Sequence, residues 1–262
     1  MSYSTIEFEI KDHIGFLFLN RPEVLNALSE KMGEELADCL GRAAFDNDIK
    51  VMIISGRGKA FSAGADLEMF KRRYESFREK GQPESTQRAE LPSALINFPK
   101  PLIAAINGAA VGFGITMPLN CDIRIASSEA KFSFAFARVG VTPEFGSSYF
   151  LPRMVGYGKA AELVFTAKLF DAAEALEIGL INRMTEPEEL MAEAESMARQ
   201  IADLPASAVR EAKKLLRHGY QSTLEQVLDY EALVFQHASQ SPAHYEAVCR
   251  MKEELKKKDS GK

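Results

Sequence analysis

Glu144 sits in the stretch GVTPEFGSSYFLPR, residues 140 to 153, directly after Pro143 and before Phe145, Gly146, Ser147 and Ser148. Two readings are open for it. It is a carboxylate available for acid-base chemistry, or an early helix residue, since proline presets the backbone angle and negative charge suits a helix N-terminus. Two glycine-rich turns lie upstream. In GRGKAFSAGADLEMF, residues 56 to 70, the small residues Ser62, Ala63, Gly64 and Ala65 let a ligand approach the backbone closely. Exposed N–H groups in such a turn, just before a helix, bind an anion or a developing oxyanion, although a tight strand-to-helix connection uses the same residue types. In INGAAVGFGITMPLNCD, residues 106 to 122, a second junction directs N–H groups, that of Phe113 among them, along a helix start. Two such junctions can supply two donors to one carbonyl oxygen.

Other chemistries are less well served. Ala60-Phe61-Ser62-Ala63-Gly64 nearly matches the nucleophile elbow GxSxG, but His218, His237 and His244 all fall in the helical C-terminal part, which makes a serine hydrolase a weak alternative. Gly112-Phe113-Gly114 begins a dinucleotide fingerprint that fails at Met117, where GxGxxG needs glycine. Cys39, Cys121 and Cys249 form no CxxC or Cys/His cluster, so a metal site is not expected and the thiols fit a reducing compartment. Asp66 and Asp122 follow the two turns and read as caps or braces. Asn107 reads as a turn residue and His13 as a surface residue of a hairpin.

The elements that must position these residues follow from periodicity. Residues 5 to 19 alternate apolar and polar on both sides of Lys11-Asp12 and predict two strands joined there. Ser29 is a predicted N-cap for a helix with Met32, Leu36, Cys39, Leu40 and Ala43 on its inner face. KVMIISG and KPLIAAING are buried strands that each end in a glycine, with DIRIAS and LINRM as further short strands. Strand, glycine turn and helix recur, which predicts parallel pairing with crossover helices. After about residue 186 only amphipathic helical patterns follow, four of them, separated by Pro, Gly or Ser. Residues 71 to 90 are polar and broken at Gly81-Gln82-Pro83, so an exposed, mobile segment bordering the pocket is expected.

With 262 residues, 46% of them hydrophobic, the chain can bury a substantial core, and its net charge of -5 disfavours nucleic acid or an anionic membrane as partner. The basic runs Lys71-Arg72-Arg73 and Lys256-Lys257-Lys258 read as solvated helix ends. MSYS leads straight into TIEFEI without a charged leader, no run approaches the ~20 apolar residues of a membrane span, and DSGK is not a peroxisomal address. The expected location is the cytoplasm.

KAFSAGADL, PLIAAINGAAVGFGITMPLNCDIRIAS and FSFAFARVGVTPEFGSSYFLPRMVG, in this order and spacing, resemble the crotonase (enoyl-CoA hydratase/isomerase) superfamily from about residue 5 to 255. The resemblance implies an α/β fold, a spiral of repeated ββα units over residues 1–200, with a C-terminal helical cap and oligomerisation region over 201–262. It implies an acyl-CoA substrate, with coenzyme A as part of the substrate and no separate cofactor, and assembly as a homotrimer or a dimer of trimers. By the same resemblance the N–H groups of Ala63 and Phe113 form an oxyanion hole, and Ala63, Gly64, Ala65, Asp66, Leu67, Phe113, Gly114 and Phe136 contact the acyl-CoA.

Hydratases of this superfamily use two glutamates, whose positions fall here on Thr116 and Phe136. Neither can serve as a carboxylate base. The position after Val141-Thr142-Pro143 is where Δ3,Δ2-enoyl-CoA isomerases of the superfamily carry their catalytic acid, so the resemblance makes Glu144 a single proton shuttle between C2 and C4. Phe132, Phe134, Phe136 and Phe145 surround that stretch of sequence and are expected to raise the Glu144 pKa by desolvation. The alternatives are an atypical hydratase in which Glu144 alone directs water, and a non-catalytic acyl-CoA-binding protein.

Overall fold

The computed structural model describes residues 3–81 and 90–260. Strands β1 (Ile6–Lys11) and β2 (Ile14–Leu19) form an antiparallel hairpin. Its loop is Asp12-His13, one residue later than the sequence pattern suggests, and both residues are left-handed, with φ 51° and 64°, as a two-residue type I′ turn requires. Helix α1 (Glu30–Phe45) starts where Ser29 Oγ accepts from the Met32 N–H, and it buries the inner face expected of it. Glu35 lies on that same buried face, where the backbone N–H and hydroxyl groups of Ser4 and Thr5 all donate to its carboxylate.

A repeating unit follows. Strand β3 (Val51–Gly56) leads through a turn to short β4 (Ala60–Ser62) and then helix α2 (Leu67–Lys80), and helix α3 (Glu90–Ile96) returns the chain. Strand β5 (Leu102–Ile106) leads to β6 (Ala109–Val111) and helix α4 (Phe113–Thr116). Strand β7 (Ile123–Ser127) leads to β8 (Lys131–Ser133), followed by helices α5 (Ser147–Val155) and α6 (Tyr157–Thr166). Strand β9 (Phe170–Asp171), helix α7 (Ala172–Glu177) and strand β10 (Arg183–Thr185) close the core. The first strands of these units extend one sheet in the order β1-β2-β3-β5-β7-β10, parallel from β2 onward, and the second strands build another in the order β4-β6-β8-β9. This is the ββα spiral of the crotonase fold.

Strand β2 shows why both faces of the large sheet are apolar. Phe16 and Phe18 pack toward helix α8 (Leu190–Ala202) through Leu190, Ala194 and Ala198, whereas Leu17 and Leu19 join the larger core on the other face. Helices α9 (Ala206–Gly219), α10 (Leu224–Ser239) and α11 (Pro242–Ser260) complete the four C-terminal helices. Buried Lys213 ties α9 to the core by donating to the Lys100 carbonyl and to the Asp122 carboxylate, 2.6 Å each.

Residues 71 to 80 are largely exposed, as expected, and they belong to α2, which buries only Met69 and ends at left-handed Gly81. The rest of the segment expected to be mobile, 82–89, lies outside the described residues.

Candidate active site

A cavity of about 950 Å³ opens between α1, α2, the two glycine turns and the 135–145 loop. Ala63, Gly64, Ala65, Leu67, Phe113, Phe136, Glu144 and Phe145 all line it, so both turns and the single carboxylate of the sequence reading converge on one space. The convergence depends on glycine. Gly64 has φ 108°, and a Cβ there would lie 3.0 Å from the Val111 carbonyl oxygen, while a Cβ on Gly112, φ 53°, would lie 3.8 Å from the Cα of Gly64. The two turns therefore touch at their missing side chains.

The expected donor at Ala63 requires correction. Its N–H already bonds the Leu25 carbonyl at 2.9 Å, because the loop before α1 runs alongside this segment. The free donor is at Ala65. Gly64 accepts from the Leu28 N–H at 2.7 Å and the Asp66 N–H donates to Leu28 at 3.0 Å, so in this extended bridge the N–H between them faces the opposite edge, toward the cavity. No hydrogen bond occupies the Ala65 N–H among the described residues. Phe113 is the first residue of α4, where backbone donors lack intrahelical partners, and its N–H is likewise unbonded among the described residues.

The remaining expected contacts divide. Leu67 is 65% exposed at the cavity wall, and Phe136 is buried against it. Asp66 caps α2 through the Glu68 N–H, 3.2 Å, and pairs with Arg21 at 3.4 Å. Gly114 acts by close approach, since a Cβ there would fall 2.1 Å from the Ser62 carbonyl oxygen. Ser62 is fully buried, donates to the Asn26 carbonyl at 2.8 Å and accepts from the Gly64 N–H, while His218 of α9 pairs with Ser222 in the turn before α10. No nucleophile elbow exists here.

Glu144 is not a helix-start residue. Helix α5 begins at Ser147, and the Glu144 carbonyl accepts both the N–H and the hydroxyl of Ser147, at 3.0 and 2.7 Å. Its side chain is free to face the cavity, where Thr116 Oγ1 donates to Oε1 at 2.6 Å. Burial pushes the Glu144 carboxyl up to about 7, against the Thr116 hydrogen bond that lowers it. The apolar wall differs from the sequence expectation. Phe136 and Phe145 line the cavity, but Phe132 and Phe134 are fully buried and stack on Phe170, at 5.5 and 6.4 Å between centroids. Phe145 has φ 53°, a strained conformation for an aromatic residue directly beside the carboxylate.

Two polar residues of the site escaped the sequence reading. Asn26 is completely buried and bonds the Arg57 and Ala60 carbonyls at 2.9 and 2.8 Å, fixing the loop that supplies Leu25 and Leu28. Asn120 donates to the Thr116 and Phe145 carbonyls at 3.0 and 2.9 Å. An asparagine beside apolar neighbours is a detectable signal, but its partners lie far along the chain.

Comparison with known proteins identifies the family. Residues 9–260 match the family described as enoyl-CoA hydratase/isomerase. The short-chain-enoyl-CoA hydratase of Clostridium acetobutylicum is 36% identical over 236 residues, covering 90% of this chain and 89% of that protein. The crotonyl-CoA hydratase of Syntrophomonas wolfei is 36% identical over 240 residues, 90% of each chain. Among solved structures, enoyl-CoA hydratase from Bacillus anthracis superposes with a TM-score of 0.85 at 30% identity, covering 96% of this chain and 97% of that one. With its ββα spiral, paired glycine turns and match over nearly the whole length, the chain is an enzyme of the enoyl-CoA hydratase/isomerase family.

Proposed function

We propose that the protein is a Δ3,Δ2-enoyl-CoA isomerase. The observation that carries this reading is the Glu144–Thr116 contact: by the resemblance, a hydroxyl stands at the position of the first hydratase glutamate and Phe136 at the second, while Glu144 faces the cavity beside Phe136 and Phe145. A base of pKa about 7 suits abstraction of a weakly acidic proton near neutral pH. The thioester oxygen of a 3-enoyl-CoA accepts from the Ala65 and Phe113 N–H groups. Glu144 removes a proton from C2, the electron pair passes into the enolate held by those donors, and the same carboxyl returns a proton at C4. The thioester carbonyl re-forms with the double bond at C2. Coenzyme A enters and leaves with the substrate, and no other cofactor takes part.

A second reading, hydration by Glu144 acting alone on water, draws support from the hydratase names of the relatives. Incubation with a 3-enoyl-CoA and, separately, with a 2-enoyl-CoA decides between them. The isomerase equilibrates the first and adds no water to the second, and a hydratase consumes the second. Turnover of neither leaves a binding protein. The exposed Leu224, Leu228 and Phe235 of α10 support assembly with further copies of the chain as a trimer or dimer of trimers. Among the described residues no helix is long and apolar enough to cross a membrane, which is compatible with a cytoplasmic enzyme.

A further inference from the structure

Thr116 is fully buried, and its single hydroxyl hydrogen has two acceptors within reach, Glu144 Oε1 at 2.6 Å and the Phe113 carbonyl at 3.4 Å. The shorter contact takes the hydrogen. The pair comes from segments 28 residues apart, and one side chain holds them together. Asn120 donates one amide hydrogen to the Thr116 carbonyl and the other to the Phe145 carbonyl, next to Glu144, while its own Oδ1 is buried without a partner among the described residues. Reversing the amide would set its oxygen against two carbonyl oxygens, so the donor assignment is unambiguous.

We infer that Thr116 is a positioning residue that divides the two oxygens of Glu144 between fixed tasks: Oε1 stays anchored on the hydroxyl, Oε2 alone takes and returns the proton, and Asn120 keeps the two segments in register. This inference rests on the isomerase reading for its proton path. The C2–H bond breaks as Oε2–H forms, the electron pair enters the enolate, and Oε2–H then breaks as C4–H forms. Oε1 is an acceptor in both states of the carboxyl, so the Thr116 bond persists through the cycle. It favours the ionised carboxylate and opposes the desolvation that favours the neutral acid. The charged groups on the elements around the same cavity are Glu30 and Glu34 on α1, Arg73 on α2 and Glu90 on α3. None of them contributes to the shift at Glu144, whose causes are burial and Thr116.

The test is a carboxyl-carbon NMR titration of glutamate-labelled protein, with the Glu144 signal identified by its loss in Glu144→Gln. It needs no turnover. Thr116→Val should raise the Glu144 pKa by about one to two units, the worth of a hydrogen bond to a charged group. The acid limb of kcat should move by the same amount with KM little changed, and Thr116→Ser should restore both. If Thr116→Val does not fold, Thr116→Cys, a weaker donor of similar size, should raise the pKa by a smaller amount. An unchanged or lowered pKa in whichever of these two folds overturns the inference. Failure of the wild-type protein to isomerise 3-enoyl-CoA would instead remove the functional reading, and the titration would still report on the anchor.

Discussion

The rings of Phe113 and Phe145 meet edge to face, with centroids 5.2 Å apart and planes at 69°. Phe113 carries a proposed oxyanion donor and Phe145 adjoins the proposed base, so one apolar contact links both halves of the site. Phe145→Ala should let water reach Glu144 and lower its pKa from about 7 toward the ordinary value of 4.5. The acid limb of kcat/KM for a 3-enoyl-CoA then moves to lower pH while the plateau falls, because the base is weaker. An acid limb that stays in place would remove Phe145 as the source of the desolvation.

Glu144→Gln should lower isomerisation by about two to four orders of magnitude, the usual worth of a positioned acid-base group, while affinity for a 2-enoyl-CoA persists. The same variant carries a stability signature. The folded-state pKa lies above the unfolded value, so the folded protein binds more protons between pH 4.5 and 7 and loses stability as pH rises through that window. Glutamine removes this slope, and thermal midpoints above pH 7 should be higher in the variant than in the wild type. A lower midpoint together with full turnover would return Glu144 to a purely structural role.

Ala63 and Ala65 make opposite predictions for the same substitution, because proline deletes the N–H at either site. Ala65→Pro removes a donor that has no partner among the described residues, so the protein should keep its thermal midpoint approximately and lose about 100- to 1000-fold in rate. Ala63→Pro removes the bond to Leu25 and should lower the midpoint. Full turnover in a folded Ala65→Pro protein would place the oxyanion hole elsewhere.

Glu35 supplies an acid-stability prediction away from the site. Burial pushes its carboxyl up, but the hydrogen bonds from Thr5 and Ser4 outweigh this and bring it to about 2. A carboxyl held below its unfolded value contributes stability that is present above pH 4.5 and lost as pH falls toward 2. Glu35→Gln should cost about 1 to 2 kcal/mol at pH 7, allowing for solvent screening, and should flatten the loss between pH 4.5 and 3. Denaturant unfolding across that range checks it, and parallel pH profiles for the two proteins would count against it.

Local patterns made much of this molecule legible. Ser29 announces α1, the glycine-ended strands announce the parallel sheet, and Val141-Thr142-Pro143-Glu144 marks the proposed base, because each signal lies within a few residues of the element it governs. Where the determinant is a distant partner the sequence is silent. Ala63 and Ala65 look equivalent in KAFSAGADL, and only Leu25 and Leu28, brought alongside by the loop that Asn26 braces, decide which N–H remains free. Phe132, Phe134, Phe136 and Phe145 likewise form one cluster in sequence, yet β8 turns the first two toward Phe170. Helix α2 was obscured by its composition, since it buries only Met69.

Gly56, Gly108 and Gly114 each press against the backbone of Lys59–Ser62, where an added Cβ would meet a carbonyl oxygen at 2.4, 2.1 and 2.1 Å. None of the three lines the cavity. In a library of every single substitution, these positions should tolerate almost nothing, because the obstructing atoms are main chain and cannot swing aside. Their fitness profile would resemble that of Glu144. Selection for soluble, folded protein tells them apart: the glycine variants vanish from such a pool, whereas Glu144→Gln persists in it and is depleted only when the cells must use the reaction.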